Sequence, residues 1–341
     1  MTEQPVFILN SGMVTSVGLT AAATCAAIRS KLTNPSETRF VDSNGEWIMG
    51  HSVPLDRHWR GTMRLVKMAA MAIEECLESI PRDRWSEIPM LFCVAERERP
   101  GRSLGDDQSL FLQVQAELGA QFASQSQIIA HGRISAFLAL MHARRCLTEE
   151  RSQYVLIAAA DSLLTSTTLR GFEQSERLLT SINSNGFMPG EGAAAILIGS
   201  PQKGSYLSCV SLGFATEPAT IDSEGPLRGE GLARAIKAAL TDSEREIQDL
   251  DFRITDISGE QYYFKEASLA LSRIMRAPKE EFNIWHPAEC IGESGAVVGV
   301  VNIGVADAAC RKGYAPGRNV LCHAAGDSDE RAAAVFIFQE I

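Results

Sequence analysis

Segment 128–137, IIAHGRISAF, has the pattern of an apolar strand that turns at Gly132 into a helix. Such a turn brings the first N–H groups of a helix to one point, which makes it a common position for a nucleophile or an anion site. The residue at this turn is Arg133, which cannot act as a nucleophile. The nearest hydroxyl, that of Ser135, has no evident base beside it. The segment therefore has the form of a catalytic turn without the reactive side chain.

A second candidate nucleophile is Ser294, which lies in the segment GESGA at 292–296. The spacing is similar to the G-x-S-x-G elbow of hydrolases, in which a strand runs directly into the serine. Here Pro287 interrupts the preceding strand, and the residues HPAEC intervene. The small residues also suit the start of a closely packed helix. Ser294 is therefore an alternative, as the nucleophile of an acyltransferase or a hydrolase.

The elements that must position these residues alternate between apolar strands and helices, which predicts a layered α/β architecture. Continuous apolar strands such as 153–164 indicate a sheet that is covered on both faces. Similar series of strands and helices occupy 1–203 and 204–341, so we predict a single domain made of two similar halves. Residues 35–60 are predicted to be rich in loops.

The composition excludes several classes of function. The chain has 341 residues and a formal net charge of -10, which argues against nucleic acid as a partner because phosphate binding needs a basic face. No apolar run reaches the roughly 18 residues of a membrane span, and the N-terminus does not resemble a signal peptide, so we expect a cytoplasmic protein without membrane contact. The eight cysteines are scattered without a CxxC pair. This predicts buried, reduced thiols, no metal and no cofactor.

The strongest local signal is GFMPGEGAAAIL at 186–197, where Gly190 and Gly192 flank Glu191 before an apolar strand. A phosphate-binding loop is excluded, because no Gly-Lys-Ser or Gly-Lys-Thr follows and no helix starts there. A tight turn would explain the glycines by their ability to adopt a positive φ. The segment also resembles the D-G-F-V-x-G-E-G-A-G-x-L-V-L stretch of β-ketoacyl synthases, the condensing enzymes of the thiolase-like superfamily.

This resemblance continues along nearly the whole chain, in segments that follow the same order as in that family. Residues 8–40 are similar to the family's V-T-G-x-G opening and the helix after it, and 64–78 fits the next helix. Residues 137–164 resemble the helix after the nucleophile and the strand that follows, and 289–300 (ECIGESGAVVGV) resembles G-H-x-x-G-A-A-G. The resemblance implies a thiolase-like five-layer α/β/α/β/α fold for residues 1–341.

The family's catalytic residues are a cysteine at a helix N-terminus, where the dipole lowers the thiol pKa, and two histidines that activate malonyl decarboxylation. Alignment of FLALMHARRCL places the cysteine position at Arg133, and an ungapped count back from IAAAD places it at Ile134. The first histidine falls on Gly259 or Glu260, and the second falls on Glu289. None of these residues can replace a cysteine or a histidine. The resemblance therefore implies a pseudoenzyme in which these positions are vestigial.

The replacements suggest how the old site is filled. An arginine at a helix N-terminus opposes the helix dipole by ~0.3–1 kcal/mol, and a buried arginine needs an anionic partner. We expect Arg133 to form a salt-bridged cluster with Glu260 and Glu289. Two alternatives remain open, in which Arg133 lies on a loop or binds phosphopantetheine or a small acid. The family's G-F-G-G turn becomes GDSD at 326–329.

Without a reactive group, the expected function is binding. We predict an adaptor or chaperone with a protein partner, because the sequence resembles the thiolase-like proteins that are encoded in type VI secretion clusters beside effector genes. The first alternative is a subunit like a chain length factor, which lacks the cysteine and pairs with an active synthase. The resemblance also implies a homodimer, or a heterodimer with a related chain. The acyltransferase or hydrolase that uses Ser294 is the remaining alternative.

Overall fold

The computed structural model describes residues 4–102 and 106–341, and it confirms the predicted alternation of strands and helices. The strands are β1 (Val6–Val14), β2 (Ser36–Val41), β3 (Trp47–Gly50), β4 (Met90–Cys93), β5 (Gln127–Ile129), β6 (Tyr154–Ser162), β7 (Glu191–Gly199), β8 (Ser205–Thr216), β9 (Phe252–Thr255), β10 (Ile284–Trp285), β11 (Asn319–Ala325) and β12 (Glu330–Glu340). The α-helices are α1 (Ala21–Arg29), α2 (Gly61–Cys76), α3 (Asp106–Leu118), α4 (Ser135–Thr148), α5 (Ser166–Gln174), α6 (Glu230–Asp242), α7 (Gln261–Ile274), α8 (Ala288–Ile291) and α9 (Val297–Arg311).

Ten of the described strands form one sheet, and its two ends repeat the same order. The first half of the chain contributes β1-β7-β6-β4-β5, and the second half contributes β8-β12-β11-β9-β10. The two series are equivalent strand for strand. When the strands of this sheet are numbered along the chain within each half, both series have the order first, fifth, fourth, second, third. The halves join where β1 pairs with β8, through Val6 with Cys209 and Phe7 with Ser208. The position of the boundary, between 203 and 204, stays a prediction.

Two apolar helices, α4 and α9, form the middle layer and contact strands of both halves. Helix α9 is buried along most of its length, because VVGVVNIGVADAAC carries apolar residues around its whole circumference. Helices α2 and α3 cover the outer face of the first half, and α6 and α7 cover that of the second. The two halves of the sheet pack against opposite sides of α4 and α9. The layers therefore follow the order α/β/α/β/α, as the resemblance implied. Among the described helices, none has the length and apolar character needed to cross a membrane.

Residues 35–60 are rich in loops, as predicted, but they also contain the hairpin of β2 and β3, for which no strands were predicted. Asp42 closes the turn of this hairpin, since its carboxylate accepts hydrogen bonds from the backbone N–H groups of Asn44 (2.9 Å) and Glu46 (2.9 Å). Helix α5 also lies in a segment for which no helix was predicted, and the hydroxyl of Thr165 caps its N-terminus. Both elements line a cavity in the first half of the molecule.

The glycines of the PGEG segment correct one prediction, because neither Gly190 nor Gly192 has a positive φ. They are needed for space: a Cβ at position 190 would lie 2.4 Å from the Ile291 carbonyl oxygen, and one at position 192 would lie 2.8 Å from that of Val14. The expected tight turn is the start of the buried strand β7. Close packing of backbone on both sides of Glu191 holds that residue in place.

Candidate functional site

Arg133 lies in the strand-to-helix turn that the sequence predicts. Strand β5 is followed by Gly132, which has φ +53°, and a 3₁₀ turn at Gly132–Ile134 leads into α4. A side chain at position 132 would be obstructed, because its Cβ would lie 2.2 Å from Oε2 of Glu96. The side chain of Arg133 is 5% exposed, so it points into the molecule rather than toward solvent. The alternative of Arg133 on an exposed loop is therefore wrong.

The guanidinium of Arg133 is surrounded by anionic and aromatic groups. Its Nη2 donates hydrogen bonds to the hydroxyl of Tyr263 (2.6 Å) and to the carboxylate of Asp327, and its Cζ lies 4.2 Å from the centre of the Tyr263 ring. Its Nη1 lies 3.6 Å from Oδ2 of Asp256 and 3.7 Å from Oε2 of Glu293. These contacts give the buried positive charge the anionic partners that it needs.

A second arginine, Arg177, shares one of these carboxylates. It forms a bidentate pair with Glu260, with distances of 2.8 and 2.9 Å, and it also binds Asp327 at 2.8 and 3.0 Å. The hydroxyl of Tyr263 donates a further hydrogen bond to Asp327 (2.8 Å). Asp327 therefore links the two arginines. We call the following residues the Arg133 cluster: Arg133, Arg177, Asp256, Glu260, Tyr263, Glu293 and Asp327.

The cluster holds two guanidinium groups and four carboxyl groups, so its protonation is uneven. Burial would raise the pKa of Asp327, but the attraction of Arg133 and Arg177 outweighs this effect and holds that pKa well below its usual range. Burial raises the pKa of Glu293 to about 7, and the attraction of Arg133 offsets only part of that shift. Burial also raises the pKa of Asp256. Near neutral pH, Asp327 is therefore ionised, and Glu293 is present in both its protonated and its ionised form.

The structure brings together only part of the predicted set. Glu260 belongs to the cluster and reaches Arg133 through Arg177 and Asp327 rather than directly. Gly259 contributes backbone shape, because it has φ +139° and its Cβ would lie 2.7 Å from a backbone oxygen. The prediction for Glu289 is wrong. This half-exposed residue forms a salt bridge with Lys31 on the surface.

Two acidic residues that the sequence analysis missed, Asp256 and Glu293, lie beside Nη1 of Arg133. Glu293 lies in the segment GESGAVVG (292–299), four residues after Glu289, to which the resemblance assigns the second histidine. The hydroxyl of Ser258 donates a 2.7 Å hydrogen bond to Oε2 of Glu293. Asp327 was also missed, although it lies in the GDSD turn that replaces the family's G-F-G-G.

The Arg133 cluster leaves almost no free space. The opening beside it has a volume of about 20 Å³ and is lined by Arg133, Arg177, Glu293 and Asp327, among others. A single water molecule needs roughly 10–15 Å³ measured in this way. The opening therefore has room for about one water and for no acyl group. The charged side chains of the cluster fill the space beside the strand-to-helix turn.

The candidate nucleophiles are inaccessible. All eight cysteines are buried, as predicted, and burial raises the pKa of each thiol, for example that of Cys146 to about 11. The hydroxyl of Ser294 is fully buried, and within the described part of the chain it has no hydrogen-bond partner that could act as a base. Ser135 has a structural role, because its hydroxyl donates to the carbonyl of Ile129 (3.1 Å).

The histidines near these segments lie outside the Arg133 cluster. His131 is half-exposed, and its hydrogen bond to Glu330 (3.0 Å) raises its pKa. His323 is buried, and burial lowers its pKa to about 3, so it stays neutral. No three His, Cys, Asp or Glu side chains among the described residues are arranged to hold a metal ion.

Comparison with known proteins establishes the fold. No protein-family model and no curated protein sequence matches the chain. Solved structures do match. The chain is similar to the AntDE:AntF complex of a type II PKS acyl-carrier protein with its ketosynthase (TM-score 0.79, 15% identity, 99% of this chain and 100% of that one). It is also similar to the ishigamide ketosynthase/chain length factor (0.78, 14%, 98% and 99%).

A third similar structure is a ketosynthase in complex with its chain length factor from Xenorhabdus doucetiae, with a TM-score of 0.74, 11% identity and 98% of each chain covered. All three matches extend over essentially the whole chain at low identity. The protein therefore has the thiolase-like fold of ketosynthases and chain length factors, as the resemblance in its sequence implied.

Proposed function

We propose that this chain is a non-catalytic protein with a ketosynthase fold, and that it acts by binding a related ketosynthase in the manner of a chain length factor. The observation that carries this proposal is Arg133, which stands at the strand-to-helix turn and is held there by buried carboxylates that leave about 20 Å³. A charged, filled turn can neither form an acyl thioester nor admit a substrate. Binding to another protein is then the function left to the fold.

The choice of a synthase as partner is supported by the similar structures, two of which contain ketosynthases together with chain length factors. It is also supported by β5, which is the last strand of the sheet at one end. An edge strand offers unpaired N–H and C=O groups to another chain. Helix α3 contacts β5 and carries Leu112, which is 54% exposed. Edge strand and apolar side chain together form a surface that suits a related chain.

An adaptor for a type VI secretion effector is the second candidate, and the net charge of -10 favours it, because it suits a partner with a basic face. A homodimer through the same β5 edge is a third. Each differs from the first in the identity of the bound protein. One experiment on the intact chain therefore separates them.

The test is affinity purification of the tagged full-length chain from its native host, followed by mass spectrometry. We expect a ketosynthase to be recovered with it. Leu112→Glu should lower that recovery. The control is Ile182→Glu, which replaces another exposed apolar residue (78% exposed) in a loop outside α3 and should leave the recovery unchanged. Recovery of a secretion effector would replace the proposal by the adaptor function. Recovery of the chain alone, as a dimer in light scattering, would contradict both.

A further inference from the structure

A second, much larger space lies in the first half of the molecule. Its volume is about 640 Å³, within the range of roughly 300–1,000 Å³ that is usual for small-molecule sites. The hairpin of β2 and β3, the N-terminal ends of α2 and α5, and the segment after β4 form its walls. Arg99 lines both this cavity and the small opening of the Arg133 cluster, so the two spaces are separated by that side chain.

The floor of the cavity contains three arginines whose charges are paired with carboxylates. Arg99 forms a bidentate pair with Glu96, with both distances 2.7 Å, and its Nη1 also donates to both carboxylate oxygens of Asp161 at 2.9 Å. Arg64 binds Glu191, with Nε 2.8 Å from Oε1. A third arginine of the wall is paired with Asp107. These contacts hold the three arginines in place, and the four carboxylates that face them leave no positive charge at the floor for a ligand.

The rim differs from the floor, because two of its arginines have no such partner. Arg39 and Arg60 line the cavity with exposed side chains, and among the described residues no carboxylate oxygen lies within 4.0 Å of either guanidinium. One unpaired carboxylate, Glu37, also lines the wall. The unpaired groups therefore leave a local excess of positive charge in a protein whose net charge is -10. A local basic site of this kind concentrates anions against the overall field.

Two helix N-termini increase this positive potential. Helix α2 begins at the cavity, where Arg60 is its N-cap and supplies no side-chain cap, and its first turn contains no acidic residue. Helix α5 begins there too, with Thr165 and Ser166 in the wall, and its first turn is also free of acidic residues. The helix dipoles and the two arginines act in the same direction.

The rest of the wall suits the body of an organic molecule. Apolar side chains of Leu65, Leu110 and Leu164 line it, together with hydroxyl groups such as those of Thr38 and Ser166. An inorganic ion would occupy only a small part of 640 Å³. The cavity therefore combines a cationic rim with a mixed apolar and hydroxylated interior.

We propose that this cavity binds an organic phosphate, with the phosphate held by Arg39, Arg60 and the N-terminus of α2, and the organic body held against the leucines. Guanidinium groups bind phosphate through charge-assisted, often bidentate hydrogen bonds. The two rim arginines lie outside β5 and α3, so binding of a phosphate to them can be tested without the proposed partner.

The test uses the full-length chain and four matched probes: naphthyl phosphate, naphthoate, naphthol and inorganic phosphate. Binding is followed by naphthyl fluorescence anisotropy and by calorimetry. We expect saturable binding of naphthyl phosphate below about 1 mM. The double variant Arg39→Gln/Arg60→Gln should weaken it by roughly tenfold or more, because charge-assisted hydrogen bonds are lost. The matched control is Arg57→Gln, an exposed arginine of the same segment outside the wall, which should bind within about twofold of the parent.

Several outcomes would overturn the proposal. Naphthyl phosphate that does not saturate by about 1 mM, or that binds the double variant as well as the parent, would show that the rim holds no phosphate. Naphthoate that binds equally well would replace phosphate by carboxylate as the recognised group. Inorganic phosphate that binds equally well would show that the interior recognises no organic body. Because both substituted residues are exposed, unchanged unfolding midpoints will confirm that the double variant is folded.

Discussion

The Arg133 cluster and the cavity of the first half are built from the same residue types, but one is filled and the other is open. In the cluster, Arg133 and Arg177 both contact Asp327, and the remaining space is about 20 Å³. At the cavity rim, Arg39 and Arg60 contact no carboxylate within the described part of the chain, and the space is about 640 Å³. Arginines close a site when carboxylates face them across it, and they leave it open when their partners lie elsewhere. Composition alone cannot distinguish these arrangements.

The largest expected effect is the removal of the central charge of the cluster. Arg133→Met should lower the free energy of unfolding by about 3–5 kcal/mol, because it leaves buried carboxylates without their partner. The same kind of change at the rim, Arg60→Gln, should alter it by less than about 0.5 kcal/mol. Chemical denaturation of the two variants measures the contrast. Equal losses would mean that Arg60 at the rim contributes as much to the free energy of unfolding as Arg133 in the cluster.

The glycine before Arg133 should be the next most sensitive position. Gly132→Ala should cost roughly 1–3 kcal/mol of stability, because alanine disfavours φ +53° and its Cβ would meet Glu96 at 2.2 Å. Gly45→Ala in the hairpin turn is the matched control, since Gly45 has φ +83° with nothing within 4 Å of the added Cβ. The difference between the two melting temperatures isolates the steric part. Identical shifts would leave backbone strain as the sole cause.

A pH dependence should distinguish the cluster from the rim. Burial raises the pKa of Glu293 to about 7, above its usual value of 4.5, so the folded state holds a proton that the unfolded state releases between these pH values. Stability from this group is therefore present at low pH and is lost as the pH rises toward 7. Glu293→Gln cannot titrate, so it should reduce the fall by up to about 1.4 kcal/mol per pH unit. Parallel curves for variant and parent between pH 5 and 7 would contradict this assignment.

The smallest expected effect is on activity. Arg133→Cys places a cysteine at the turn, where the resemblance to β-ketoacyl synthases predicts the nucleophile, but no histidine belongs to the Arg133 cluster, where Ser258 and Glu293 lie close together instead. We expect no turnover of malonyl or acyl-carrier substrates by this variant above that of the parent chain. Detectable condensation would show that the cluster closes the site by its arginine alone.

The sequence predicts the layers well and the site only in part. Continuous apolar strands and the helices between them depend on local patterns, so the architecture follows from them. The turn at Gly132 is equally local. The partners of Arg133 are not, because Tyr263 and Asp327 lie 130 and 194 residues away in the chain. Glu293 contacts Arg133 only because the fold brings distant segments together, and no local pattern distinguishes it from Glu289.

The cavity could not be predicted, since its walls come from segments without strong periodicity. The hairpin of β2 and β3 lies in the stretch predicted to be rich in loops, and α5 lies in one for which no helix was predicted. Both are short elements whose position is set by tertiary contacts. The volume between them is a property of the packed molecule, which no local pattern encodes.

The pairing of β1 has a consequence for synthesis on the ribosome. Strand β1 is made first, but its neighbours are β7 and β8, which end at Gly199 and Thr216. At translation rates of about 5–20 residues per second, roughly 10–40 s pass between the synthesis of β1 and that of its sheet partners. The side chains of Ile8, Met13 and Val14, which are buried in the folded protein, lack those partners in this interval. During that time the nascent chain exposes an apolar strand with two open edges. Production of the protein should therefore depend on chaperones that cover such strands, far more than its compact final form suggests.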